Sequence, residues 1–257
     1  MTSQGSPDPE PRPLAGAIAF EEGDFHALGE GLASDPQYND RRLVTRRKLG
    51  ALAKTAVARA KELGVQLQSR TSLHHPHAFN RGRVRRIWAY LCRPKAEKTR
   101  LRRVLGADLA KDLDAAYRNA YLCLAIEAEA LEVSLRIHPE GWYDGQNLVR
   151  RVAAEGHGPW QGLLNELPGY RLRLDDWKGE WRCGELNGDR MREFLKYYQP
   201  GEHALAVERR FPAPPGAREA ALGEAVPAHL LEELGRLVPL YRYTAWSRES
   251  DFLFSSG

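Results

Sequence analysis

A strongly basic segment, from Arg41 to Arg103, places the tightest constraint on how this chain can fold. It holds nineteen Lys and Arg residues and only two acids, Glu62 and Glu97, so its net charge is +17 over 63 residues. The whole chain has 38 basic and 34 acidic residues, which leaves 19 basic and 32 acidic residues, a net −13, for the other 194 positions. Such a segment either contacts a polyanion or is covered by acidic parts of the same fold.

Periodicity predicts that the first part of this basic segment is a helix. The helix is expected to begin at residue 39 or 40, to reach Leu63 and to end at Gly64. Arg47, Lys54 and Lys61 follow at seven-residue steps and predict a basic stripe along one side. The apolar residues recur in steps of three and four and predict a core-facing side; they are Leu49, Leu52, Ala53, Ala56, Ala60 and Leu63.

Two strands and a second helix are expected in the rest of the basic segment. A polar strand over 65–77 and a turn at 80–82 lead to a strand over 83–93, and a basic helix over 95–105 follows. Alternation gives the second strand two faces. One face looks like core and carries Ile87, Ala89 and Leu91. The other carries Val84, Arg86, Trp88, Tyr90 and Cys92.

The remainder of the chain alternates hairpins with helices. A helix over 107–118 precedes a hairpin of strands 121–126 and 131–137, for which a continuous helix over 107–130 is the competing prediction because Ala, Leu and Glu favour helices. The later elements are a helix capped by Asp144 and reaching Ala154, a helix over 160–167, a hairpin of 170–174 and 181–186, a helix capped by Asn187, a strand over 203–211 and a helix over 227–238.

This order of elements predicts the α+β class, with a single compact domain and a mainly antiparallel sheet built from hairpins and packed by several helices. The domain is expected over residues 14–246. The Pro-rich residues 1–13 are expected to be a disordered leader, and residues 247–257 a tail.

The C-terminal third ends a strand with Arg209-Arg210-Phe211-Pro212, continues with a helix rich in Leu and Glu, and then reads Leu237-Val238-Pro239-Leu240-Tyr241. This pattern resembles the end of the YktB-like family, a family of uncharacterised bacterial proteins. The resemblance implies a compact α+β fold and supplies no catalytic residues. The central segment, 106–186, departs from the family's pattern.

Composition limits the class of protein. No apolar run approaches the roughly 20 residues that a membrane span requires, so no membrane is expected. The three cysteines lie far apart without CxxC spacing, which argues against a disulfide framework and against a thiolate zinc site; they are Cys92, Cys123 and Cys183. A reducing cytoplasm is the expected location.

The leading functional prediction is binding of nucleic acid or another polyanion through residues 41–103, since clustered Arg and Lys bind phosphates and aromatic rings on a sheet can stack on bases. The residues expected at the interface are Arg46, Arg47, Lys54, Lys61, Arg83, Arg85, Arg86, Trp88, Tyr90, Arg93, Arg102 and Arg103. The alternative for Trp88 and Tyr90 is a place in the core, with Arg86 paired to an acid. No motif decides between RNA and DNA.

A second prediction, from another class, is a metal-dependent hydrolase or nuclease. His74, His75 and His77 lie close together in the sequence, and His138 could add a ligand for a divalent metal. No other cofactor is expected, and the sequence contains no GxSxG, Walker or GxGxxG motif. A third prediction is an assembly protein whose basic face docks an acidic protein partner or a second copy in a homo-oligomer.

Overall fold

The strands form a seven-stranded sheet in which every pair of neighbours is antiparallel, in the order β1-β2-β3-β4-β7-β5-β6. The computed structural model describes residues 18–73, 82–111, 113–213 and 222–254. The strands are β1 Gln68–Ser72, β2 Arg86–Cys92, β3 Tyr121–Glu127, β4 Ala130–Ile137, β5 Arg171–Leu174, β6 Trp181–Arg182 and β7 Leu205–Pro212.

Helices pack against this sheet and complete one compact α+β domain, so the predicted fold class is confirmed. The helices in the described part are α1 Glu22–His26, α2 Asn39–Glu62, α3 Lys95–Leu105, α4 Trp142–Glu155, α5 Gly158–Asn165, α6 Gly188–Tyr197, α7 Val226–Arg236 and α8 Val238–Thr244. The hairpin of β3 and β4 forms as predicted, and the competing continuous helix does not.

The inner face of the sheet forms the main core. Ile87, Ala89 and Leu91 of β2 are fully buried there, as their alternation predicts, and α2 covers β1 and β2. The close packing of α2 depends on Gly50, because a Cβ at this position would lie 3.3 Å from Thr71 Cγ2 on β1. The long basic helix is therefore fixed along the β1 edge of the sheet.

The outer face, defined as the face that carries Trp88, Tyr90 and Cys92, is partly covered by a small second cluster. Register places Tyr121 and Cys123 of β3 beside these residues. The segment before β3 packs on the cluster through Ala116 and Tyr117. Arginine and glutamate side chains extend over the rest of this face, as described below.

The prediction of a helix over 107–118 is wrong. Turns follow Gly106, and only residues 116–118 form a short 3₁₀ helix. Side chains donate hydrogen bonds to two backbone carbonyls of this segment. Lys98 Nζ donates to Asp114 O at 3.1 Å, and Asn119 Nδ2 donates to Leu113 O at 3.0 Å. These side-chain donors and backbone turn hydrogen bonds, such as Ala110 N–H to Gly106 O at 3.1 Å, therefore satisfy groups of this backbone without a continuous helix.

Two further local predictions are corrected. The first strand of the basic segment covers only Gln68–Ser72, five residues of the predicted 65–77, and residues 74–77 lie outside the described part. Asp144 does not cap α4 but lies within its first turn, fully buried. Its carboxylate accepts hydrogen bonds from the backbone N–H groups of Ala120 and Trp246, so tertiary contacts turn it inward.

The chain termini are only partly described. The predicted leader, residues 1–13, lies outside the described part. Residues 247–254 contact α4, where Asn147 Oδ1 accepts from the N–H of Phe252 at 2.9 Å and Arg150 donates to Leu253 O at 2.8 Å. In the ranges that the structure describes, none of the helices has the length and apolar character needed to cross a membrane.

Candidate nucleic-acid interface

The basic stripe predicted on α2 is present on the surface. Arg47, Lys54 and Lys61 are exposed, and none of them forms an ion pair with a residue in the described part of the chain. Consecutive members are seven residues apart, about 10 Å along the helix axis at 1.5 Å per residue. The stripe therefore presents three exposed positive charges over roughly 20 Å.

This stripe borders the edge strand β1. Arg46 Nε donates to Thr71 Oγ1 at 3.0 Å, and Gly50 faces the same threonine, so this side of α2 lies along β1. Arg47 precedes Gly50 by three positions and Lys54 follows it by four, which makes both neighbours of Gly50 on the helix surface. Arg70 is exposed on β1 itself, on the outer face opposite Tyr90.

Four other predicted interface residues are also exposed, and they differ in their ion pairing. Arg83 and Arg103 are exposed and form no ion pair within the described residues. Arg85 pairs with Glu30 at 2.8 Å, and Arg102 lies 3.9 Å from a carboxylate oxygen of Asp114; both pairs are largely exposed. Exposed pairs of this kind are weak and exchange readily with solvent ions or a ligand.

Other basic residues of the segment act inside the fold. Arg93 is buried and pairs with Asp144, and Lys48 is buried and pairs with Asp24 at 2.7 Å. Buried Arg42 donates to Ala27 O at 3.0 Å and to other backbone carbonyls. Lys98 is also buried, and burial lowers the pKa of its amino group. The cations of the +17 segment therefore include three groups: buried anchors, exposed residues in ion pairs, and exposed residues without an ion pair in the described part of the chain.

Arg93, Trp88 and Tyr90 were expected at the interface, and the structure places all three inside the protein. Trp88 is 3% exposed and Tyr90 is 4% exposed. The guanidinium carbon of Arg86 lies 3.7 Å from the centroid of the Trp88 ring, and the two aromatic rings stack on each other. Burial also raises the pKa of the Tyr90 hydroxyl. In this conformation neither ring offers a face on which a base could stack.

Arg86 belongs to an ion-pair network on the outer face, which we name the Arg–Glu network. It donates to Glu127 at 2.5 Å and to Glu132 at 2.6 Å. Glu132 also accepts from Arg136 at 2.8 Å. Arg136 continues to Glu208 at 2.6 Å, so one chain of contacts crosses β2, β3, β4 and β7.

The charge state of this network follows from its contacts. Burial of Glu132 disfavours its carboxylate, but Arg136 and Arg86 outweigh that effect and lower its pKa to about 2. Sequence reasoning anticipated an acid beside Arg86 without identifying it. The available signal was the alternation of polar residues in β4, where Glu132, Ser134 and Arg136 share one face.

The predicted metal site is largely outside the described part of the chain, since His74, His75 and His77 are not among the described residues. The fourth candidate ligand, His138, is described. Its Nδ1 accepts from the N–H of Glu140 at 3.1 Å, and its ring contacts Tyr117 edge to face. Within the described ranges, no three His, Cys, Asp or Glu residues are arranged to hold a metal ion.

Comparison with known proteins adds no family assignment: no protein-family model matches the chain, and a search of curated proteins finds no significant match. The resemblance of the C-terminal third to the YktB-like family stays a prediction. The exposed and buried side chains described above are therefore what indicates a function for this chain.

Proposed function

We propose that this protein binds nucleic acid through the α2–β1 surface, defined by Arg47, Lys54, Lys61 and Arg70. The observation that supports this proposal is that these four cations are exposed and have no carboxylate partner in the described part of the chain, whereas the buried cations of the same segment are hydrogen-bonded within the fold. A row of like charges concentrated on one surface raises the local concentration of anions, so this stripe fits a polyanionic partner.

A phosphate backbone suits this surface because the negative charges of the backbone, like the positive charges of the surface, are repeated along an extended line. Each phosphate neutralised by Lys or Arg releases counterions, so several contacts along α2 and β1 add up in affinity. Contacts to the phosphate backbone fix the position of the protein on the nucleic acid but do not recognise the base sequence, and they do not distinguish RNA from DNA. Arg83 and Arg103 are exposed as well and supply two further cations for phosphate contacts in this proposal. Trp88 and Tyr90 are left out of it because their rings are buried.

We place this activity in a reducing cytoplasm. The three cysteines, Cys92, Cys123 and Cys183, are free thiols buried in the fold. Burial raises the pKa of Cys123 and of Cys183 to about 12, so these two thiols are poor nucleophiles at neutral pH. They therefore act as small core residues in the proposed binding protein.

The test is fluorescence anisotropy of a labelled DNA duplex of about 20 base pairs and of a labelled RNA, titrated with protein between about 50 and 200 mM salt. Wild type is expected to bind both, with affinity falling steeply as salt rises. The variant with Arg47→Gln, Lys54→Gln and Lys61→Gln is expected to bind at least tenfold more weakly, with a salt slope smaller by about two to three.

A matched control removes three exposed cations elsewhere, by Lys196→Gln, Arg242→Gln and Arg248→Gln, and is expected to bind within a fewfold of wild type. The proposal fails if wild type binds neither probe more strongly than a neutral protein does. It also fails if the two triple variants lose affinity equally. Binding of an acidic polypeptide in place of both nucleic acids would instead support the assembly protein predicted from the sequence.

A further inference from the structure

The hairpin of β5 and β6, at the sheet edge opposite β1, places arginines directly across from each other. Register pairs Arg171 with Arg182, and both side chains are exposed on the outer face. Arg173 lies two positions from Arg171 on the same face and is also exposed. Like charges directly opposite each other destabilise an antiparallel pair, so this arrangement costs stability unless anions compensate it.

Carboxylates compensate this arginine triad, Arg171, Arg173 and Arg182, only in part. Arg171 pairs with Glu180 at 2.9 Å, and Arg173 pairs with Glu208 at 2.9 Å. Glu208 is shared, because its other oxygen accepts from Arg136. Arg182 forms no ion pair with any residue that the structure describes. The triad therefore keeps unneutralised positive charge at the β5–β6 edge.

Register connects this triad with the α2–β1 surface through one row of paired residues that crosses every strand of the sheet. The row runs through successive strand partners, which are Arg70, Tyr90, Cys123, Ser134, Glu208, Arg171 and Arg182. Six steps between neighbouring strands, at about 4.8 Å each, separate its ends by roughly 29 Å. One positively charged side chain thus marks each end of the row.

We propose that the arginine triad is a second contact for the nucleic-acid backbone, so that one nucleic acid crosses the outer face from the β1 edge to the β5–β6 edge. This inference rests on the proposed function. Guanidinium groups are suited to the role because they bind phosphate oxygens in a fork. The triad lies outside residues 41–103, which makes it a site that the charge of the basic segment does not reveal.

Length dependence tests the crossing. A duplex rises about 3.4 Å per base pair, so about 6 base pairs span some 20 Å and cannot connect the two edges, whereas about 20 base pairs span some 68 Å and can. The variant with Arg171→Gln and Arg182→Gln is expected to bind the long duplex about tenfold more weakly than wild type, with a salt slope smaller by about two. Its affinity for the short duplex is expected to match that of wild type.

The outcomes separate the two proposals. If the arginine variant binds the long duplex as wild type does, while the Arg47, Lys54 and Lys61 variant is weakened, the second contact is wrong and the proposed function stands. The second contact would also be overturned if the arginine variant lost equal affinity for both duplexes and a control variant with Lys196→Gln and Arg242→Gln lost the same amount. Absence of any wild-type binding would refute the proposed function itself. Thermal unfolding checks that each variant is folded.

Discussion

Asp144 is the residue at which three distant parts of the chain meet. Its buried carboxylate accepts from Arg93 after β2, from the N–H of Ala120 at 2.6 Å before β3, and from the N–H of Trp246 at 2.7 Å after α8. Three donors thus satisfy the oxygens of a carboxylate that is fully buried. Asp144 therefore joins the basic segment, the central hairpin and the C-terminal region at one buried point.

Substitution Asp144→Ala is expected to lower the free energy of unfolding by about 3–5 kcal/mol, because it leaves the Arg93 guanidinium buried without its counter-charge. Urea unfolding followed by circular dichroism measures the change. Asp189→Ala is the control, since Asp189 pairs with Arg192 on the surface and should cost at most about 1 kcal/mol. Equal effects of the two substitutions would contradict the anchoring role of Asp144.

At the scale of elements, α4 shows how a close approach overrides helix propensity. Gly145 lies inside this helix, and a Cβ added there would be 2.4 Å from Tyr198 Oη and 3.0 Å from Pro200 Cβ. Alanine normally stabilises a helix interior by about 1 kcal/mol relative to glycine. Here the contact with the segment after α6 requires the missing side chain.

Gly145→Ala is therefore expected to destabilise the protein by about 1–3 kcal/mol through overpacking, against its favourable helix propensity. Gly162→Ala in α5 is the matched control, because a Cβ there meets no other atom within 4 Å, and it should stabilise by up to about 1 kcal/mol. Urea midpoints measure both variants. A stabilised Gly145→Ala variant would show that Tyr198 moves without cost.

Elements with strong local patterns were predictable from the sequence. The stripe of Leu49, Leu52 and Ala53 marked α2, and Gly64, which adopts a φ of 80°, marked its end. Alternation marked β4 as well. The conformation of the segment 107–118 was not predictable. Its apolar residues have helical spacing, but the side chains of Lys98 and Asn119, which are not part of that spacing, donate hydrogen bonds to its backbone carbonyls.

At the scale of the whole molecule, positive charge is concentrated in residues 41–103, and the rest of the chain has a net negative charge. Folding pairs only part of this positive charge with acids from the rest of the chain. Acids from outside the basic segment reach Arg86, Arg93 and Lys48. They do not reach the α2–β1 surface within the described part of the chain. Concentrated like charge on one surface opposes the compact state, which is the expected cost of a surface kept free for an anion.

Removing that charge should therefore not cost stability. The Arg47→Gln, Lys54→Gln, Lys61→Gln variant is expected to unfold at the same temperature as wild type or higher, at low salt. The difference should shrink as salt rises, since the Debye length falls from about 10 Å at 0.1 M to about 3 Å at 1 M. Calorimetry at several salt concentrations measures it. A variant markedly less stable at all of them would mean that the stripe supports the fold.

The sequence by itself determined the class of fold, the two faces of β2 and the excess of positive charge, because periodicity and composition are local properties. Only the tertiary structure decided which charges stay unpaired. Neutralisation depends on partners remote in the chain, such as Asp144 for Arg93 and Glu132 for Arg86, and strand register sets those pairings.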